Sequence, residues 1–333
     1  RHALLSNIDG SDNTAIGQQA GAYTTGSYNT FVGSEAGKGY GGAPYSSGGS
    51  NTAVGYEALE NFTTAYESCV FGYEAGTSIT TGRSNNLFGA GAGDSLTDAR
   101  YNVAVGRSTL QSATDPDGCI AIGDQAMSGV NATDGRLTGV IAIGFAALND
   151  AINLKKHADQ SIAIGGGAGT NASNLAKEFV LVGNTAGQKI NGEGVVSIGY
   201  EAGQYASGSF NTFVGGNAGQ GGTTSAPFST GIQNTALGYN AFAAFTTGIQ
   251  NTILGSYAGQ SITSGNYNTF VGSGTGNSIT TGVQNTFVGR NVGTGADDAN
   301  YNVAVGDTIM NANFGNTNIG IGYNVATSIT GTG

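Results

Sequence analysis

Histidine, the commonest general base and metal ligand, occurs twice in this chain of 333 residues, at His2 and His157. Neither belongs to an H-E-x-x-H run, a nucleophile elbow or a Cys/His spacing that would hold zinc. Paired carboxylates are the other route to hydrolysis, and polysaccharide-cleaving β-helices carry them on a flank. The candidates are Asp94 with Asp98, Asp115 with Asp117, and Asp297 with Asp298. Each pair is local and flanked by turn formers, so each reads as turn chemistry rather than as an acid and a base. Asp115-Pro116-Asp117-Gly118 offers at most a weak cation site. The run Gly165-Gly166-Gly167-Ala168-Gly169 lacks the Lys-Ser/Thr of a phosphate loop. The sequence therefore predicts no enzyme, no catalytic residue, no cofactor and no metal.

Recognition has more to work with. Tyr56, Tyr73, Tyr200, Tyr239 and Tyr323 recur at one phase of a repeat described below, and amphipathic rings suit sugar or protein contact. Tyr40, Tyr45 and Phe228 lie in insertions, as do Lys155, Lys156 and His157. These six are the candidate receptor contacts. Rings stacked as a ladder within or between subunits are the competing reading of the tyrosines.

Composition narrows the classes. The net charge is −10, and no Lys/Arg cluster exceeds Lys155-Lys156, so nucleic-acid backbone has no electrostatic footprint. No apolar run approaches the ~18 residues of a membrane span. Sixty glycines without a three-residue period exclude collagen, and periodic apolar positions argue against Gly-rich disorder. Cys69 and Cys119 fall three repeats apart, too far for a disulfide if repeats stack at ~4.8 Å.

The elements that would position any site are set by the repeat. Asn29-Thr30-Phe31-Val32-Gly33 is one copy, and the form N-T-x-[VIL]-G is intact eight times. Eighteen anchor glycines can be aligned, from Gly17 to Gly322, most often 17 residues apart. Counting from the anchor, position −1 is always Val, Ile, Leu or Phe, and −3 is mostly Thr, Val or Ile. Such residues suit a pleated strand. Positions −3 and −1 share one face of that strand and −2 takes the other. The sequence predicts that −3 and −1 fill the subunit's own core. Position −2 is also apolar, and it then needs cover from outside. Phe31, Leu87, Leu181, Phe213, Ile253, Phe270 and Phe287 are accordingly expected to form a homotrimer interface.

After the anchor, +3 is Ala in thirteen coils and +4 is Gly in eleven, which points to a tight corner. The Asn at −4 can stack into an amide ladder one coil apart. Insertions at 38–49, 128–139, 149–160 and 220–231 share one phase and are expected to decorate one edge. Residues 29–37 return as 211–219, and Tyr101–Gly106 returns as Tyr301–Gly306, so a large duplication is visible. The expected organisation is a lead-in at 1–12, a first super-repeat at 13–198 and a second, incomplete one at 199–333, cut from a longer chain.

The N-T-x-[VIL]-G strand resembles the head repeat of trimeric autotransporter adhesins. The longer coil with Gly55-Tyr56-Glu57-Ala58, Gly199-Tyr200-Glu201-Ala202-Gly203 and Thr80-Thr81-Gly82 is similar to repeats of bacteriophage tail fibres. The coils are longer than those of the adhesin head. The resemblance implies an all-β, left-handed parallel β-solenoid of about 18 coils, assembled as a homotrimer and displayed on a virion tail fibre or a bacterial surface. Its implied partners are itself, neighbouring fibre segments and a host glycan or protein receptor, without nucleic acid or membrane insertion. An ice-binding solenoid is the remaining class. It would need an outward Thr ladder, and the expected inward Thr at −3 disfavours it.

Overall fold

In the computed structural model the chain is an all-β parallel β-solenoid of about 17 turns. The residues described are 2–130, 137–151, 160–173, 177–225, 228–295, 297–312 and 314–325. Lys155, Lys156 and His157, and most of the 149–160 insertion, lie outside them. Two compact units are formed, residues 1–174 and 175–333. Among the described residues the first holds nine strands, from Thr14–Ile16 to Ile162–Ile164, and the second nine, from Val180–Val182 to Ile319–Tyr323. Among the described residues no helix is long and apolar enough to cross a membrane.

Within each unit, consecutive strands pair in parallel one coil on, and the register is strict. In the second unit Thr212, Phe213 and Val214 face Thr235, Ala236 and Leu237, and the same rule continues coil by coil. Fifteen of the eighteen described strands are three residues long because the anchor glycine ends them with a sharp turn; the last three, Thr286–Arg290, Val303–Asp307 and Ile319–Tyr323, run one residue past it. Gly33 has φ +138, a backbone state that L side chains rarely adopt. A Cβ there would sit 2.3 Å from the carbonyl oxygen of Gly55, the next anchor. Only glycine lets the coils close to hydrogen-bonding distance at this corner.

The structure reverses the assignment of the strand faces. Phe31, Leu87, Leu181, Phe213, Ile253, Phe270 and Phe287, expected at a trimer interface, are all 0% exposed within the single chain. They are the core. Positions −3 and −1 point outward instead, as the burial pattern of the strands shows, for example in Thr235–Leu237 and Ile162–Ile164. The reason is the thinness of the coil. A strand of three residues alternates its side chains, and the interior has room for one of them. That one is −2, which meets the buried Ala at +3 and the residue at +7, among them Phe62, Ile79, Leu96 and Ile262.

The interior slot is filled reciprocally from −2 and +4. Where −2 is large, +4 is glycine. A Cβ on Gly37 would lie 2.2 Å from the ring of Phe31, and one on Gly219, Gly276 or Gly293 would strike Phe213, Phe270 or Phe287 as closely. In six of the eight coils where −2 is alanine, +4 is large; Ala15 and Ala163 are instead matched with Gly21 and Gly169. Ala53 pairs with Leu59, Ala104 with Leu110, Ala121 with Met127, Ala142 with Leu148, Ala236 with Phe242 and Ala304 with Met310. All of these large residues are fully buried, and all hold positive φ between 51 and 56. A left-handed backbone is strained for a bulky side chain, and burial of these six side chains offsets that cost. Gly at +4 thus leaves space for a side chain rather than only permitting a turn.

The expected amide ladder is present. Asn211, Asn234, Asn251, Asn268, Asn285, Asn302 and Asn318 are buried in sequence. From Asn234 on, each Nδ2 donates to the Oδ1 of the preceding asparagine at 3.0–3.1 Å. Asn268 also donates to the carbonyl of Gly282 at 2.8 Å, and its Oδ1 accepts from the backbone N–H of Asn285 at 3.0 Å. These bonds satisfy backbone groups that the turn leaves without a strand partner. In the first unit the ladder is interrupted by Ser68 and by Cys119, whose backbone N–H still donates to Asn102 Oδ1 at 2.9 Å. Both cysteines are free thiols.

Candidate functional site

Three surfaces carry the side chains that remain once the core is accounted for. The first is the outward face of the sheets. In-register parallel pairing turns −3 and −1 into two straight columns. In the first unit the columns run Val103, Ile120, Ile141, Ile162 and Val105, Ile122, Ile143, Ile164. In the second the −3 column reads Thr212, Thr235, Thr252, Thr269, Thr286, beside Val214, Leu237, Leu254, Val271, Val288. Away from the end strands these side chains are at most about half exposed, as with Ile198 at 38% and Leu237 at 49%, and on the end strands they open further, to 62% at Ile16 and 76% at Ile319. Outward-facing Thr at −3 corrects the expectation that this residue is core-facing. Alternation alone could not reveal it, because both faces of the strand are apolar.

The second surface is the row of rings just after the anchors. Tyr56 and Tyr73 stack with centroids 5.3 Å apart, and Tyr239 meets Tyr257 edge-on at 5.4 Å. All four are exposed. The hydroxyl of Tyr56 is held by Glu57, and this hydrogen bond together with the nearby negative charge pushes its pKa up to about 12. Tyr73 and Tyr200 are raised in the same way by Glu74 and Glu201. A phenolate would face a carboxylate and lose its hydrogen bond.

The predicted insertion residues divide. Tyr40 is exposed and its backbone N–H donates to Ser46 Oγ at 2.8 Å. Tyr45 lies against Tyr23 at 6.2 Å, and Phe228 lies against Tyr205 at 6.3 Å in the duplicated coil. Both insertions rejoin the stack through a parallel bridge, Thr24 with Ser46 and Ala206 with Ser229. Tyr45 and Phe228 therefore fasten the insertions to the preceding coil, with Lys189 5.9 Å from the Phe228 ring. Tyr40 is the one left open.

The third surface was not singled out from the sequence. Tyr66, Arg83 and Arg100 occupy equivalent positions in consecutive coils, joined by parallel bridges. The Arg83 guanidinium carbon lies 6.0 Å from the Tyr66 ring and 5.2 Å from the Tyr101 ring, and its Nε donates to Tyr101 Oη at 3.0 Å. The signal was a column six residues before each anchor, legible only after coils are aligned on that phase. Among the described residues, no group of three or more His, Cys, Asp or Glu could hold a metal ion. The chain matches no protein-family model and no curated protein.

Proposed function

We propose that this chain is a non-enzymatic segment of an attachment fibre in which copies pack side by side through the outward columns at −3 and −1. The observation that carries the reading is the apolar face of the parallel sheets. Two partly exposed side chains per coil present roughly 100 Å², so the nine strands of one unit offer on the order of 900 Å², apolar throughout at −1 and mixed with Thr hydroxyls at −3. Soluble monomers usually expose a few hundred Å² in one patch, and a standard interface buries ~800 Å² per partner. The resemblance of the repeat to tail-fibre and adhesin-head coils supports three copies about one axis. It also supports display on a virion tail fibre, with a bacterial surface as the alternative, and a host glycan or protein as receptor. Native mass spectrometry tests the assembly: about 100 kDa is expected, and a stable 33.1 kDa species refutes it. Val105→Glu with Ile122→Glu places charges on the proposed contact and is expected to dissociate it while leaving the coil folded. Normal assembly of that variant moves the interface elsewhere.

One observation favours a second reading. The outward column Thr212, Thr235, Thr252, Thr269, Thr286 is a regular hydroxyl and methyl array of the kind an ice surface would require. Thermal hysteresis in dilute solution separates the two, since an attachment fibre shows none.

A further inference from the structure

Of the four arginines among the described residues, three are matched to a carboxylate. Arg100 Nη2 donates to both oxygens of Asp98, at 3.3 and 3.0 Å. Arg107 pairs with Asp124 at 2.9 Å and Arg290 with Asp307 at 3.0 Å. Arg83 differs. Its Nε is spent on Tyr101 Oη, its guanidinium carbon lies 6.0 and 5.2 Å from the Tyr66 and Tyr101 ring centres, and among the described residues no carboxylate pairs with its two terminal amino groups. The hydrogen bond to Tyr101 favours its charged form most, ahead of the opposing desolvation, and the Tyr66 phenol adds to it. The side chain is thus held between two phenols, with no carboxylate among the described residues matched to its terminal amino groups. Beyond Tyr101 the next rung is Gly118, where an added Cβ would meet nothing within 4 Å, so ground beside that ring is free.

Resting on the attachment reading above, we infer that the Tyr66–Arg83–Tyr101 clamp is a subsite for a carboxylate-bearing sugar in an otherwise largely neutral polysaccharide. A guanidinium fork matches a carboxylate with two parallel hydrogen bonds. The half-open Tyr66 and Tyr101 rings supply flat amphipathic surface for neighbouring pyranose rings. Charge sets the spacing of the acids. The chain carries a net charge of −10, and Glu67, Asp98 and Asp117 lie in the same or adjacent coils. A dense polyanion would be repelled by this field, whereas a single carboxylate at the fork is neutralised locally. The duplication provides an internal contrast. At the positions 200 residues on, Asn266, Val283 and Asn300 replace Tyr66, Arg83 and Arg100, while Tyr301 is retained. The second unit therefore keeps a ring without the cation.

The test is binding of the intact chain to immobilised glucuronoxylan and to a sialylated polylactosamine, each beside its carboxyl-reduced form. Polyglutamate and dextran sulfate serve as dense polyanion competitors. Retention on at least one carboxylated polymer is expected, with at least a tenfold loss on carboxyl reduction and the same loss for Arg83→Gln. Tyr101→Phe, which removes the Nε anchor, should weaken binding several-fold, and Arg290→Gln should leave it unchanged. Circular dichroism and native mass confirm that the surface variants remain folded. Equal binding by Arg83→Gln, equal binding of the reduced polymers, stronger binding of either polyanion, or no retention on any carboxylated polymer overturns the inference. Retention on neutral glycans or host cells that Arg83→Gln does not alter sinks the subsite and leaves the attachment reading standing. Failure on every glycan and cell surface removes both.

Discussion

The reciprocal filling of the core can be tested by exchanging the two halves of one coil. Phe31→Ala removes a fully buried ring and is expected to cost ~3–5 kcal/mol. Gly37→Leu alone places a Cβ 2.2 Å from that ring at a backbone φ of +53. Overpacking of ~1–3 kcal/mol and a left-handed penalty of ~1–2 kcal/mol then add. Taken together, Phe31→Ala with Gly37→Leu recreates the arrangement of the next coil, Ala53 with Leu59, whose φ is 56. The double variant should lose only ~1–3 kcal/mol, for the left-handed backbone and the smaller volume of Leu. Its coupling energy is then ~2 kcal/mol or more in favour of the pair. The assay is urea unfolding of the four proteins at one protein concentration, since association shifts apparent stability, with hydrogen exchange in residues 30–37 as a local readout. Additivity within ~0.5 kcal/mol would refute the shared slot, and Phe31 and Gly37 would then contribute independently.

Other perturbations probe the remaining features. Asn268→Ala breaks the ladder where Asn251 Oδ1, the Gly282 carbonyl and the Asn285 N–H depend on it. A loss of ~3 kcal/mol and faster exchange at those amides are expected, and a neutral result would mean that water replaces the amide. Gly255→Ala sets a Cβ 2.4 Å from the Gly272 oxygen at φ +137, and should expose the flanking coils to limited proteolysis. Tyr56 should ionise near pH 12, later than an ordinary phenol, and Glu57→Gln should bring it down. Because its folded pKa is raised, its contribution to stability is complete below the ordinary phenol pKa of ~10 and fades as pH rises towards 12. Asp307 runs the other way. Thr308 and Arg290 depress its pKa, so its contribution holds above the usual carboxylate range and is lost as pH falls through the depressed value.

Much of this fold is legible in the sequence because it depends on local chemistry repeated eighteen times. The anchor glycine announces a backbone no other residue adopts at that corner. The asparagine four residues before it announces an amide that only a stack of its own kind can satisfy. Spacing near 17 residues then requires parallel coils in register, and the whole-repeat duplication follows by inspection.

What the tertiary structure alone decided is direction. A strand fixes that −3 and −1 oppose −2, but two apolar faces leave inward and outward undetermined. The width of the coil resolves it. The interior admits one side chain from each strand, so Phe270 lies inside and Thr269 and Val271 lie outside. The sequence did hold a clue in the exchange between −2 and +4, visible as Phe31 with Gly37 against Ala53 with Leu59. Its meaning depends on knowing that the two positions share one volume, and they are six residues apart across a turn. The Arg83 clamp is hidden for the same reason. Tyr66, Arg83 and Tyr101 are 17 and 18 residues apart in the chain and become neighbours only when coils stack. Repetition writes the backbone into the sequence, whereas closure of the coil decides which side chains meet.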